Sequence, residues 1–170
     1  MTHLRSFAMP ILTYTTAKIP GGTIAVVVTN GVVVASSYRG IDDIRSRLAP
    51  EFTYKKCDLP VIKDVLERYC GGELTAFDEV EVSQPGGPLQ LEVWSAMRTI
   101  EPGTIDSYGG LARRAGRPNA YRAVGTACSS NLVAPFVPCH RVVAASGLGG
   151  YGYGLAVKKA LLKHEGVTYE

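Results

Sequence analysis

The 170-residue sequence predicts an α+β fold in two parts, and three observations carry that reading. Segments rich in β-branched residues crowd the first half, and segments with apolar residues at helical spacing fill the second. Between them lies Gln84-Pro85-Gly86-Gly87-Pro88, which can continue neither a helix nor a central strand. The boundary falls there. Residues 1–84 are expected to form a small antiparallel sheet with helices, and residues 85–170 a mostly helical part.

In the first part, residues 11–17, 22–28 and 32–38 read as strands, and Asn30-Gly31 is a strong hairpin turn between the last two. Such short connections predict an antiparallel meander. Residues 42–48 predict a short helix whose own acidic residues suit its N-terminus. Residues 59–70 place Val61, Ile62, Val65, Leu66 and Tyr69 at helical spacing, and Gly71-Gly72 ends that helix. Val80-Glu81-Val82 reads as one more strand.

In the second part, residues 89–100 carry Leu89, Val93, Trp94, Met97 and Ile100 on one helical face, and Pro102-Gly103 stops it. Ser107 is an expected N-cap for a helix through residue 115. Gly116-Arg117-Pro118 turns the chain, and Asn119 is expected to cap the next helix, through about residue 128. Two short helices joined by a glycine-containing turn fit a helix-turn-helix. Residues 147–154 are rich in glycine, and residues 156–164 form a last helix with Val157, Ala160 and Leu161 on one face and Gly166 as its stop.

Charge and composition narrow the function classes. Residues 1–84 carry a balance of −1 and residues 85–170 a balance of +4, which favours a polyanionic partner for the second half. Arg98, Arg113, Arg114, Arg117 and Arg122 lie in or near the helix pair. No apolar run is long enough to cross a bilayer, and Met1-Thr2-His3-Leu4-Arg5 does not read as a signal peptide, so a cytoplasmic protein with no membrane partner is expected. The four cysteines and three histidines lack zinc-ligand spacing, so no metal is expected, and an intracellular setting favours reduced thiols over a Cys57–Cys70 disulfide. The glycine-rich loop lacks the G-x-x-x-x-G-K spacing of a phosphate cradle, and no cofactor motif is present. Its glycines fit either a wall against a planar ligand, with Tyr151 and Tyr153, or a flexible connector.

Two features point to chemistry. Pro138-Cys139-His140-Arg141 puts a thiol beside an imidazole. A cysteine attacks as its thiolate, which a neighbouring base or cation brings toward neutral pH. The helix from Asn119 to Ala127 is built of small residues around the single Arg122. A major-groove reader presents several hydrogen-bonding side chains, whereas small residues let the backbone come close and let one arginine replace a base that leaves its stack.

Together these pieces resemble the O6-alkylguanine-DNA alkyltransferases, also called methylated-DNA–protein-cysteine methyltransferases. The resemblance covers roughly residues 89–166. It rests on Val93-Trp94, Ser107-Tyr108, Arg122-Ala123-Val124-Gly125, Asn131, Pro138-Cys139-His140-Arg141-Val142-Val143, Gly150-Tyr151, Gly154-Leu155-Ala156-Val157-Lys158 and Leu161-Leu162-Lys163-His164-Glu165-Gly166. It implies a ribonuclease H-like layout in the first half and a winged-helix-like second half. It also implies transfer of an alkyl group from guanine O6 in double-stranded DNA to Cys139, by a monomer, without a cofactor, each molecule acting once. No resolving cysteine sits beside Cys139 in the sequence, and thiol exchange cannot release an S-alkyl group. By the same resemblance, His140 draws the thiol proton through a water, Glu165 orients His140, Asn131 braces the active-site turn and Tyr108 protonates the departing base. Arg122 fills the gap left by the flipped nucleotide, Ala123 and Gly125 lie against the minor groove, Ser107 belongs to the DNA-facing motif, and Tyr151 and Gly152 bound the base pocket.

The chain departs from the family's pattern in places. Gly152 stands where many members have serine, Leu132 and Ala134 where prolines are frequent, Tyr121 where a small residue precedes the arginine, and Leu89 for a frequent phenylalanine. A lesion sensor would lack the acceptor thiol, and a thiol hydrolase would need an oxyanion hole and would leave the arginine-bearing helices without a role.

Overall fold

The computed structural model describes residues 10–169, so the opening pentapeptide read above lies outside the described residues. The fold is α+β, with a four-stranded sheet and six helices among the described residues. Strands β1 (Ile11–Ile19), β2 (Gly22–Thr29) and β3 (Val32–Ser37) form the expected antiparallel meander. Asn30 and Gly31 turn the β2–β3 hairpin with φ of 50° and 77°, the left-handed pair that matches the twist of the flanking strands.

Two features of the first half differ from expectation. After α1 (Ile41–Arg47), β4 (Thr53–Lys56) joins the far edge of the sheet parallel to β1, so the order is β3-β2-β1-β4 and the sheet is mixed, not wholly antiparallel. A parallel neighbour needs a crossover connection, and α1 supplies it. Short and bearing Lys55 and Lys56, β4 has no apolar pattern to announce it. Residues 80–82 make only a single bridge, Val82 to Val33, preceded by a 3-10 turn at Ala76–Glu79.

The alternation of β2 explains the layers. Ile24, Val26 and Val28 face the large core, whereas Ala25 and Val27 face a smaller one with Leu12, Ala35, Ile44 and Tyr54. Helix α2 (Pro60–Cys70) packs Ile62, Val65, Leu66 and Tyr69 into the large core, which continues without a break into the second half through Val93, Trp94, Met97, Leu111, Val124, Phe136 and Leu161. An aromatic column crosses between the halves. Tyr69 stacks on Phe77 at 4.1 Å, and Phe77 meets Phe136 at 4.7 Å.

Helix α3 (Pro88–Met97) starts with Pro88 at its first turn and the Gln90 side chain accepting from the Gly87 N–H. It ends before residue 100, which follows in a tight turn onto Met97. The short β5 (Asp106–Ser107) leads to α4 (Tyr108–Arg114), where Ser107 Oγ accepts from the Gly110 N–H at 2.9 Å as the expected cap. Helix α5 (Tyr121–Ser129) begins one residue beyond the expected Asn119 cap, at Ala120, with no side chain capping it. The strand β6 (Val142–Val143) pairs with β5, and α6 (Leu155–His164) closes the fold, stopped by Gly166 at φ 88°.

The linker is fixed by packing. A Cβ on Gly86 would lie 2.6 Å from the Trp94 ring, while the Trp94 indole N–H donates to the Ala127 carbonyl at 2.8 Å. Gly86→Ala is therefore expected to destabilise the protein by about 1–3 kcal/mol through overpacking. Trp94 is the only tryptophan, so fluorescence-monitored denaturation reads the change directly, and an unchanged midpoint would contradict the close approach.

Candidate active site

Residues 131–138 are buried almost throughout and deliver Cys139 into a single 3-10 turn, Cys139–Arg141. The Cys139 N–H bonds Val137 O at 2.9 Å and the Arg141 N–H bonds Pro138 O at 3.0 Å. This turn supplies the bend that two adjacent cooperating side chains need. Asn131 holds the segment closed. Its amide donates to Val137 O at 2.8 Å, and its carbonyl oxygen accepts from the Val133 N–H at 3.1 Å and from Gln84 Nε2 at 3.0 Å. Gln84 completes the brace by accepting from the Leu132 N–H at 2.8 Å. Sequence reasoning read Gln84 only as part of a break; no local pattern marks it as a brace.

Behind Cys139 lies a buried ionic cluster. Glu165 Oε1 accepts from His140 Nε2 at 2.9 Å, from Tyr69 Oη at 2.8 Å and from Arg141 Nη2 at 2.9 Å, while Oε2 accepts from Arg141 Nε at 2.9 Å. Arg141 Nη1 donates to Ile100 O at 2.7 Å, so each of its three guanidinium nitrogens makes a hydrogen bond. Burial pushes the Glu165 carboxyl up, but the hydrogen bonds from His140 and Arg141 outweigh it and hold the group well below the usual carboxylate range. Burial pushes the His140 imidazole down, against the pull of Glu165, so the ring rests neutral. With a carboxylate on Nε2, the proton of the neutral ring sits there. Nδ1 is then an acceptor, buried and without a hydrogen-bond partner among the described residues.

The thiol departs from the expectation of a ready thiolate. Cys139 is half-buried, and burial raises its pKa; the Asn131 amide and Lys158 act the other way without overcoming it. A resting thiol, next in the chain to a neutral imidazole with a free Nδ1, is the arrangement at hand. Lys158, which sequence reasoning placed only within a motif, is fully buried and gives its Nζ to the carbonyls of Val142 at 2.7 Å, Leu148 at 2.7 Å and Gly150 at 3.0 Å. Three acceptors match the three donors of an ammonium, which pins the glycine-rich loop over the site.

A cavity of about 190 Å³ opens over Cys139. Gly125, Cys128 and Ser129 of α5 form one side, Gly150, Tyr151 and Gly152 of the loop the other, and Tyr108 an end. The Tyr108 phenol is raised by burial and by the neighbouring Cys128 and Cys139 thiols, so it stays a proton donor. The Tyr151 hydroxyl is buried with no partner among the described residues. Cys128 was not foreseen: it is distant from Cys139 in sequence, yet lines the same cavity, although both thiols are free.

The remaining expected residues lie around this centre. Ser107 sets the start of α4 and hence the position of Tyr108. Arg122 is exposed on α5, 6.0 Å from the Tyr121 ring centre, and Ala123 is half-buried beside it. The expected five-arginine surface is smaller than the sequence suggests. Arg98 donates to the Phe77 and Val80 carbonyls, Arg114 pairs with Asp106, and Arg117 with Glu92. Arg113 and Arg122 form no ion pair among the described residues.

A family model described as 6-O-methylguanine DNA methyltransferase, DNA binding domain, matches residues 88–167. A methylated-DNA–protein-cysteine methyltransferase of Salmonella typhimurium is 45% identical over 106 residues, 62% of each chain, so the match spans less than two thirds of that relative. The enzyme of the same name from Haemophilus influenzae is 38% identical over 134 residues, covering 76% of this chain and 75% of its own. A crystal structure of Mycobacterium tuberculosis OGT in complex with DNA superimposes with a TM-score of 0.77 at 38% identity, over 91% of this chain and 93% of that one.

The geometry makes a prediction about the thiol. Only the thiolate reacts with iodoacetamide, and burial raises the Cys139 pKa, so its labelling is expected to accelerate with a midpoint above the ordinary cysteine value of about 8.5. Asn131→Ala is expected to move that midpoint higher still. Peptide-resolved mass spectrometry across a pH series measures both, and a midpoint at or below the ordinary value would contradict the burial argument.

Proposed function

The chain belongs to the methylated-DNA–protein-cysteine methyltransferase family, and on that premise we propose that it repairs double-stranded DNA by taking an alkyl group from guanine O6 onto Cys139. The observation that carries this reading is the half-buried Cys139 thiol at the cavity, followed in the chain by a neutral His140 whose Nδ1 is buried and unpartnered.

The step balances as an in-line displacement at carbon. His140 Nδ1 takes the thiol proton, through a water, and Glu165 stabilises the imidazolium that forms. The sulfur forms a bond to the alkyl carbon as the carbon–O6 bond breaks, and the electron pair leaves with guanine. Tyr108 donates toward ring N3 of the departing base. Backbone N–H groups near Tyr151 and Gly152 face O6, and Gly152 offers no hydroxyl there. Asn131 holds the turn that presents the sulfur. Every group needed lies on this chain, and no cofactor enters the step. The thioether product is not cleaved by water or thiols, so each molecule acts once.

The target must leave the duplex to reach the cavity. In this reading, Arg122 enters the helix in its place, and Ala123 and Gly125 let α5 approach the minor groove, with Ser107 at the start of α4. Residues 1–84 act as a scaffold in a ribonuclease H-like layout, and residues 85–170 as a winged-helix-like unit for DNA binding and transfer. The protein works as a cytoplasmic monomer, nucleoid-associated in a prokaryote. No helix among the described residues is long and apolar enough to cross a membrane.

Intact mass after incubation with duplex DNA containing O6-methylguanine tests the reading. The expected result is a gain of one methyl, mapped to the Cys139 peptide, with no second turnover. Cys139→Ala is expected to retain binding to the lesion duplex and lose transfer entirely; an unmodified wild-type protein, or repeated turnover, refutes the proposal. Arg122→Ala is expected to slow repair of duplex DNA far more than attack on free O6-methylguanine. Equal losses on the two substrates would remove the finger from the mechanism.

A further inference from the structure

Tyr153 lies outside the cavity lining, on the glycine-rich loop, yet both hydrogen bonds of its hydroxyl go to the first half of the chain. Its hydroxyl donates to the Ser36 carbonyl at 3.1 Å and accepts from Arg47 Nη1 at 3.1 Å. Its ring lies 5.1 Å beneath the Arg39 guanidinium, 5.5 Å from the Tyr38 ring and 5.9 Å, edge-on, from the ring of Tyr151. Arg39 also donates to the Gly152 carbonyl, the residue between those two tyrosines.

The same residues also grip the segment that runs from the end of α5 to Cys139. The Ser36 N–H donates to Leu132 O at 2.8 Å, and its hydroxyl to Ala134 O at 2.6 Å. Arg47 Nη2 reaches Asn131 O at 3.4 Å while Nη1 holds Tyr153. Ser36, at the end of β3, is fully buried and uses its N–H, hydroxyl and carbonyl on these two segments. One segment carries Cys139 and the other carries Tyr151 and Gly152.

We propose that Tyr153 is a positioning residue: by tying the glycine-rich loop to Ser36 and Arg47, which also hold residues 131–134, it sets the width of the pocket and so the size of alkyl group accepted. This rests on the repair reading above and gives the first half of the chain a part in it. A backbone rich in glycine has little stiffness of its own, and a small misplacement of reacting groups lowers rate steeply. Lys158 holds the loop from inside, and Tyr153 holds it from the other half.

Tyr153→Phe keeps the ring contacts and removes both hydrogen bonds, so it isolates the tie from packing. Single-turnover transfer from duplexes carrying O6-methylguanine or O6-benzylguanine is the main readout. The expected result is methyl transfer slower by about tenfold, a benzyl-to-methyl rate ratio raised above wild type, and unchanged duplex affinity. Arg47→Met is expected to shift the ratio in the same direction. Hydrogen exchange provides a readout independent of any alkyl donor: residues 147–154 and 131–137 exchange faster in Tyr153→Phe. A wild-type protein that takes no methyl overturns the repair reading, whereas unchanged exchange in Tyr153→Phe overturns this one whatever the transfer result. An unchanged benzyl-to-methyl ratio with both rates falling together marks the residue as merely structural and also overturns it.

Discussion

A single buried carboxylate organises this molecule. Glu165, at the end of α6, has four hydrogen bonds, from His140, Tyr69 and twice from Arg141, and these partners come from the Cys139–Arg141 turn and from a helix of the first half. A charge removed from water is tolerable only when paired and bonded this fully, and stripping one partner from such a cluster costs about 3–5 kcal/mol. The constraint therefore runs outward from the chemistry. Fixing Glu165 fixes the imidazole proton on Nε2, leaves Nδ1 without a partner among the described residues and ties α2 to the end of α6 through Tyr69.

Around that centre, the site is made of segments with little regular structure of their own, held by polar side chains that reach across the fold. Asn131 and Gln84 close the 131–138 segment on itself, Lys158 joins two loop carbonyls to that of Val142 in β6, and Ser36 with Arg47 spans the two segments. Such bracing gives a cavity whose walls carry small residues, Gly125 and Gly150 among them, without letting those walls drift. The resting thiol fits this design. A sulfur kept protonated by burial is protected from casual electrophiles, and the neighbouring residue in the chain keeps a neutral imidazole with one free nitrogen.

Much of this was legible in the chain itself. The Asn30-Gly31 turn, the helical stripe of α3, the Ser107 cap and the Cys139-His140 pair are local signals, each complete within a few residues. What escaped has a common cause. Tyr69 lies 96 residues from Glu165, Gln84 lies 47 from Asn131 and Tyr153 lies 117 from Ser36. A buried lysine or arginine in an amphipathic helix or turn carries no mark distinguishing it from a solvated one, so Lys158 and Arg141 stood only as members of motifs, without their buried bonding role. The reverse error has the same origin, since Arg98, Arg114 and Arg117 read as a basic face while their guanidinium groups were already engaged within the protein. Strand β4 was missed because a short edge strand with lysines has no alternating pattern to display.

The uninterrupted apolar interior running from β2 and α2 into α3 and α5 has a consequence for anyone wishing to trim the chain. Cutting at the proline-glycine stretch would yield two pieces, but neither would be a free-standing module. The later fragment would bare Met97, Phe136 and Leu161, and its carboxylate would be short of the tyrosine hydroxyl, while the earlier one would expose Phe77 and the inner face of its sheet. Sticky fragments that cluster or demand each other for solubility are the expected outcome. Complementation by mixing the two halves is a more promising design than a minimal catalytic miniature.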